Sequence, residues 1–311
     1  MVIVGSILLT AGALAAVRYL GISHLNAAAG ARSDAMTRSA ASGDNHTIGA
    51  GRTTPAPTST GARHVPGKAP SPGVSHAPSP APSRSQAAAP VPAGTATKCT
   101  KPKFVTSAPT GGWSDGSYYL YNDMWNISGY TVTQTLYACA YNNWYVVANM
   151  NNDSGNGAVK TYPDVQANFN EPAISSFHAI SSTFAETSPH VGIYEDAYDI
   201  WINGVATSGS TEVMVWTENF HQVPAGSVQG SVTFGGRRYT VWKNGSYIAV
   251  VANTNFTSGT VNLLQIFDWI MAKGWMPATS TLGQIDYGAE IVSTNSAPAT
   301  FTFTNFSVST S

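Results

Sequence analysis

Val232-Thr-Phe-Gly-Gly-Arg-Arg-Tyr-Thr-Val241 is two short alternating runs joined by a pair of glycines. That is the signature of an antiparallel hairpin, with Gly235-Gly236 supplying the turn. A second tight turn, Asn244-Gly245, follows directly and leads into another β-branched run. Outward from this hairpin, short stretches rich in Val, Ile, Thr, Tyr, Phe and Trp are punctuated by Gly, Asn and Ser from Cys99 to the C-terminus. They predict strands near 118–122, 130–137, 143–149, 176–184, 191–202, 211–219, 229–234, 237–243, 246–252, 286–293 and 299–308. Many antiparallel strands at short spacing point to an all-β sandwich or jelly roll. The exception is Thr260 to Trp275, where Val261, Leu264, Ile266, Phe267, Ile270 and Met271 recur at helical spacing and Gly274 can end the helix.

The rest of the 311-residue chain is chemically different. Residues 2–17 are an uncharged apolar run followed by Arg18, and Ala27-Ala28-Ala29 offers a small-residue cleavage pattern. Residues 1–31 therefore read as a signal peptide or as an N-terminal anchor, which would leave the domain secreted or held at the outer face of the cell membrane. Residues 32–98 contain no Phe, Tyr or Trp but 10 of the 18 prolines, with a net charge of +5. Such a stretch cannot bury enough apolar area to offset chain entropy and is expected to be a disordered spacer. Residues 99–311 carry seven basic and fourteen acidic residues. An acidic domain repels nucleic acid, which excludes it as the natural partner. The many Tyr and Trp among few charges suit a neutral, polar, ring-shaped ligand.

In an exported chain the two cysteines, Cys99 and Cys139, are expected to form one disulfide tying the start of the domain to an early strand. His178, His190 and His221 are dispersed without ligand-like spacing, so neither a metal nor a cofactor is expected.

The chemistry concentrates on three strands. In Thr211-Glu-Val-Met-Val-Trp-Thr217, Glu212, Met214 and Trp216 share one face and Val213 and Val215 the other. Read alone, the first face could simply be solvated. Asp286-Tyr-Gly-Ala-Glu-Ile-Val292 sets Glu290 among small and apolar neighbours, and Tyr198-Asp-Ile-Trp-Ile202 puts Asp199 and Trp201 on one face. Two carboxyls facing each other across an aromatic groove are what glycoside hydrolysis needs, one to protonate the leaving oxygen and one to attack or to activate water.

These segments resemble glycoside hydrolase family 12, the β-jelly-roll endoglucanases and xyloglucan hydrolases. The family's Glu-x-Met-x-Trp motif is matched by Glu212-Val-Met-Val-Trp216, its Gly-x-Glu by Gly288-Ala-Glu290, and its Asp-aliphatic-aromatic strand by Asp199-Ile-Trp201. An early Asn-x-x-Trp is matched by Asn122-Asp-Met-Trp125, and a Ser-Tyr-Pro-Asn segment appears altered as Thr161-Tyr-Pro-Asp164. The resemblance implies a two-sheet antiparallel jelly roll (a concanavalin-like sandwich) with a concave cleft and one α-helix. It also implies a retaining endo-acting hydrolase of β-1,4-glucans (cellulose, mixed-linkage β-glucan or xyloglucan), acting as a monomer. Glu212 would be the nucleophile, Glu290 the acid and then base, and Asp199 the group that biases Glu212. Asn122, Trp125, Tyr162, Trp201, Met214 and Trp216 would meet the sugar, with Trp144 as a further wall candidate. Asp164 in place of an amide and Asn126 in place of a glycine depart from the family pattern where subsites are expected. Glu195, Asp196 and Glu218 read as solvated or ion-paired, and Trp269 and Trp275 as core. The alternatives are a non-catalytic carbohydrate-binding jelly roll of the cell surface, and an adhesive surface protein, which would leave the carboxylate-bearing strands unexplained.

Overall fold

The computed structural model describes residues 98–152, 155 and 157–311; the leader expected at 1–31 and, but for Lys98, the linker expected at 32–98 lie outside the described residues. In chain order the first strands are β1 (Phe104–Thr106), β2 (Gly112–Asp115), β3 (Tyr118–Tyr121), β4 (Val132–Ala140) and β5 (Asn143–Met150). They are followed by β6 (Asp164–Asn168), β7 (Ile180–Thr187), β8 (Ile193–Ile202), β9 (Thr211–Phe220) and β10 (Ser227–Phe234). The last five are β11 (Arg237–Asn244), β12 (Tyr247–Ala252), β13 (Ser258–Asn262), β14 (Leu282–Ser293) and β15 (Ala299–Thr310), with helix α1 (Leu263–Ala272) between β13 and β14.

The strands form a six-stranded sheet in the order β1-β4-β5-β15-β7-β13 and a nine-stranded sheet in the order β10-β11-β12-β9-β8-β14-β6-β3-β2. Pairing is antiparallel apart from β12 on β9, which is parallel. The expected hairpin is present: Phe234 pairs with Arg237 around Gly235 and Gly236, both at positive φ, as this tight turn demands. Cys99 and Cys139 are joined, which ties the first described residues to β4.

One continuous apolar core fills the space between the sheets. Ile200 and Ile202 of β8, Val213 and Val215 of β9, and Ile285 and Tyr287 of β14 meet Phe184 of β7 and Phe301, Phe303 and Phe306 of β15 there. The valines of the 211–217 segment thus do turn inward, as their alternation predicts. α1 seals the core with Leu263, Ile266, Phe267 and Ile270. It is shorter than the periodicity indicates, because Thr260 and Val261 still belong to β13. The Asn262 side chain accepts from the Gln265 N–H at 3.0 Å, ending the strand and capping the helix.

Four strands escape sequence reading. β1, β2, β6 and β13 have five residues or fewer, too short to show an alternation. Trp144 is also not a wall of any groove: it is fully buried on β5, stacked on Phe303 with ring centroids 4.2 Å apart.

A register shift in β8–β9 has a large effect. Ala197 pairs with Trp216 but Asp196 pairs with Glu218, so Thr217 is an extra residue. This β-bulge breaks the alternation and turns Glu218 into the interior with Asp196, away from the face that carries Glu212.

Trp144→Ala is expected to cost roughly 3–5 kcal/mol of unfolding free energy in a denaturant titration, as deletion of a large buried ring does. Unchanged stability would contradict its place in the core.

Candidate active site

The site lies on the face of the nine-stranded sheet turned away from the six-stranded one. Backbone pairing arranges that face in rows across the strands. In the first row Glu212 sits opposite Trp201 on one side and Tyr247 on the other. In the second, Asp199 lies between Met214 and Asp286. In the third, Ala197 lies between Trp216 and Gly288, with Asp164 beyond. In the fourth, Glu195 faces Glu290. Glu212 and Glu290 therefore stand at opposite edges of a floor built from Asp199, Met214, Ala197 and Trp216.

That floor is recessed. Asp199 and Met214 are fully buried, and Trp201 and Trp216 nearly so, although none of them lies between the sheets. Met214, Trp216, Ala197, Ala225, Tyr247 and Ala249 form a second apolar cluster on this side. The reading of this face as simply solvated is thereby overturned. The Trp216 indole N–H points at the Met214 sulfur at 3.5 Å, so the thioether and indole of the Glu-x-Met-x-Trp motif pack against each other.

Gly288 explains its own place in the motif. A Cβ there would come 2.1 Å from the Pro163 carbonyl oxygen and 2.8 Å from the Asp164 Cα. Only glycine lets β6 approach β14 this closely, two residues before Glu290.

The electrostatics converge on a residue that sequence reading passed over. The Tyr247 hydroxyl is buried with no hydrogen-bond partner. Burial pushes it well above the usual tyrosine range, and the charges of Glu212, Glu290, Glu195 and Asp199 push it further. Four carboxyls thus share one neighbourhood, three of them the predicted catalytic set. The signal missed was simple: Tyr247 opens the strand after Asn244-Gly245, and its partner on β9 is visible only once the parallel pairing is known.

Glu195 is a second such residue. It is wholly buried, not solvated or ion-paired, and Asp196 and Glu218 are buried as well. Burial pushes its carboxyl well up, helped by the nearby charges of Glu290 and Asp196. A carboxyl that keeps its proton beside Glu290 can donate to it. Beside β14 Lys160 is buried, its ammonium 2.8 Å from the Val292 carbonyl oxygen and over the Tyr130 ring.

The remaining predicted contacts divide. Trp125 is half-buried, with its indole nitrogen inside. Asn122 is fully buried; its amide donates to the Ala108 carbonyl and its side-chain oxygen accepts from Gln134, so it braces the loop that carries Trp125. Tyr162 is also buried, its hydroxyl donating to the Ala197 carbonyl at 3.0 Å. Asp164, fully buried, adds to the burial that raises the Tyr119 hydroxyl.

A jelly roll with acidic residues ranked across one recessed sheet face defines the class, and comparison with known proteins gives the family. The profile of Glycosyl hydrolase family 12 matches residues 116–311, and the chain belongs to that family. Among curated proteins it is similar to Endoglucanase S of Pectobacterium parmentieri, 24% identical over 206 residues, 57% of this chain and 76% of that one. It is equally similar to a protein of Phytophthora nicotianae named Inactive glycoside hydrolase XLP1, 24% identical over 189 residues, 56% of this chain and 79% of that one. Among solved structures, the xyloglucanase domain of NopAA from Sinorhizobium fredii, in complex with cellobiose, aligns with a TM-score of 0.59 at 29% identity. That alignment covers 68% of this chain and 100% of the other.

Because the Glu195 carboxyl is raised on folding, its contribution to stability is present in full below its unfolded value of about 4.3 and is lost as pH rises beyond it. Glu195→Gln removes this loss. The melting temperature of the variant is expected to gain on the parent steadily from pH 4 to pH 8, read by scanning calorimetry; a constant difference would contradict a protonated Glu195.

Proposed function

We propose that this chain is an exported, retaining endo-hydrolase of β-1,4-glucans. The observation that most supports the reading is the gathering of Glu212, Glu290, Glu195 and Asp199 around Tyr247 on one recessed face. In the proposed reaction the Glu212 carboxylate attacks the anomeric carbon as the bond to the glycosidic oxygen breaks, and Glu290 passes its proton to that oxygen. Glu290 then takes a proton from water, which attacks the same carbon and releases Glu212. Asp199, one row from Glu212 on the neighbouring strand, biases the charge and orientation of the nucleophile. Glu195 holds its proton against Glu290 and positions it. Trp125 offers a ring for a sugar to stack on, while Trp201, Met214 and Trp216 form the apolar bed beneath.

Family membership and two relatives, an endoglucanase and a xyloglucanase, favour a β-glucan substrate. The apolar leader and the Pro-rich spacer favour delivery outside the cell, where such polymers lie. One observation favours a second reading: a relative named inactive matches at the same identity as the endoglucanase, which suits a wall-binding protein using the same face.

Reducing-end release from carboxymethylcellulose, mixed-linkage β-glucan and xyloglucan separates the two. Activity on at least one is expected, with proton NMR showing the β-anomer first. Glu212→Ala is expected to abolish turnover while leaving polymer affinity intact, and azide to restore part of it. An initial α-anomer would overturn the nucleophile assignment; retention on a polysaccharide affinity gel without any product would favour the binding protein.

A further inference from the structure

Away from the sugar-facing side, three carboxyls meet between the sheets. Glu186 comes from β7 of the six-stranded sheet, Asp196 from β8, and Glu218 from β9, turned inward by the Thr217 bulge. One oxygen from each lies within 4.8 Å of the others, and all three residues are buried. The reaction proposed above uses none of them.

Their hydrogen-bond inventory does not close. Glu218 accepts from the Tyr194 hydroxyl at 2.6 Å and meets His190 Nε2 at 3.0 Å. Neither oxygen of Asp196, at 0% exposure, receives a hydrogen bond, and neither oxygen of Glu186, at 5%, does so. The Ser188 hydroxyl, also buried, lies beside Asp196 and favours its ionised form, yet it satisfies hydrogen-bond geometry with no group. No lysine or arginine forms an ion pair with the three among the described residues, and His190, whose side chain is 61% exposed, is the single basic group in contact. Left to protons, burial and then the charges of Asp196 and Glu218 push Glu186 up to about 11, and Asp196 is likewise raised by burial. Interior carboxyls without donors are among the costlier arrangements a fold can hold, and they persist when paired or when they coordinate a metal.

We propose that Glu186, Asp196 and Glu218, with the Ser188 hydroxyl, form a binding site for a hard divalent cation of the calcium type. The donor set is all oxygen and strongly anionic, which selects a hard ion over a thiophilic one. Two oxygens bound to the same calcium at 2.3–2.6 Å lie at most about 4.6–5.2 Å apart, and the triad falls within that span. The exposed His190 ring in contact with Glu218 brings solvent to within one side chain of the cluster, which gives the ion an entry. Because the ligands come from β7 on one sheet and from β8 and β9 on the other, the ion would pin the two sheets together directly behind the sugar-facing floor.

The test uses the full exported chain. Metal content is measured by mass spectrometry after desalting, and thermal unfolding is followed at pH 7.5 after EDTA treatment and on titration with CaCl2, MgCl2 or ZnCl2. About one equivalent of bound calcium is expected, with a melting temperature that falls in EDTA and rises with added CaCl2 in a saturable way. Asp196→Asn and Glu186→Gln should lose the calcium response and stay folded in EDTA, since each amide replaces a carboxyl that would otherwise hold a proton. Should a variant fail to fold, the metal content and calcium response of the parent still decide. The site is refuted if the parent carries no metal and melts at one temperature with or without CaCl2, if Asp196→Asn responds as the parent does, or if ZnCl2 alone stabilises the protein through His190.

Discussion

The pairing of β8 with β9 on one side and β14 on the other fixes which way the acidic side chains of these three strands point. Because alternate residues of a strand face opposite ways, a slip of one residue would exchange Glu195, Ala197, Asp199 and Trp201 with Tyr194, Asp196, Tyr198 and Ile200. The apolar half of that set is anchored among Phe184, Phe301 and Phe306, and the cost of drawing those rings into water holds the register. The acids on the far face are therefore positioned by hydrophobic packing they do not take part in. Gly288 lets β6 close on β14, and the Met214–Trp216 pair fills the floor, so both settle into geometry that this register has already set.

Where local pattern and long-range pairing agree, the sequence was easy to read. The Gly235-Gly236 hairpin, the alternation through Glu212, Met214 and Trp216, and the helix face from Leu264 to Ile270 are encoded within a few residues, and each stands where its pattern points. Three matched motifs likewise fall on one face in adjoining rows. What escaped depends on partners distant in the chain. β6 is five residues whose only reason to be a strand is the edge that β3 and β14 offer it. Tyr247 faces Glu212 through a parallel pairing that no local signal announces. Glu195, Asp196 and Glu218 read as solvated or ion-paired because acidic residues usually are; the bulge at Thr217 and the depth of β8 put them inside, and of the three Glu218 alone meets a basic group, His190, among the described residues.

Tryptophan shows the same divide. Eight indoles lie in the acidic domain and four of them, Trp125, Trp144, Trp201 and Trp216, invite a sugar-facing reading, but ring and strand alone do not say which face of which sheet a residue occupies. Trp144 stacks on Phe303 in the core, Trp216 lies in the floor, and Trp125 sits half-buried on a loop braced by Asn122. Of the predicted contacts, Asn122 and Tyr162 are buried, and their polar atoms engage Ala108, Gln134 and Ala197.

The order of strands in space differs from their order in the chain in one respect that bears on how the molecule is made. β15, the last strand, lies in the middle of the six-stranded sheet between β5 and β7, and β14, the next to last, lies in the middle of the other between β8 and β6. As a ribosome delivers the chain from its N-terminus, β5 and β7 have no common neighbour and β8 has one open edge until the final segments appear. Neither sheet can close early, and the core between them cannot form without both. Until β14 and β15 emerge, the edges of β5, β7 and β8 stay unpaired, so these two strands set the moment at which the core can close.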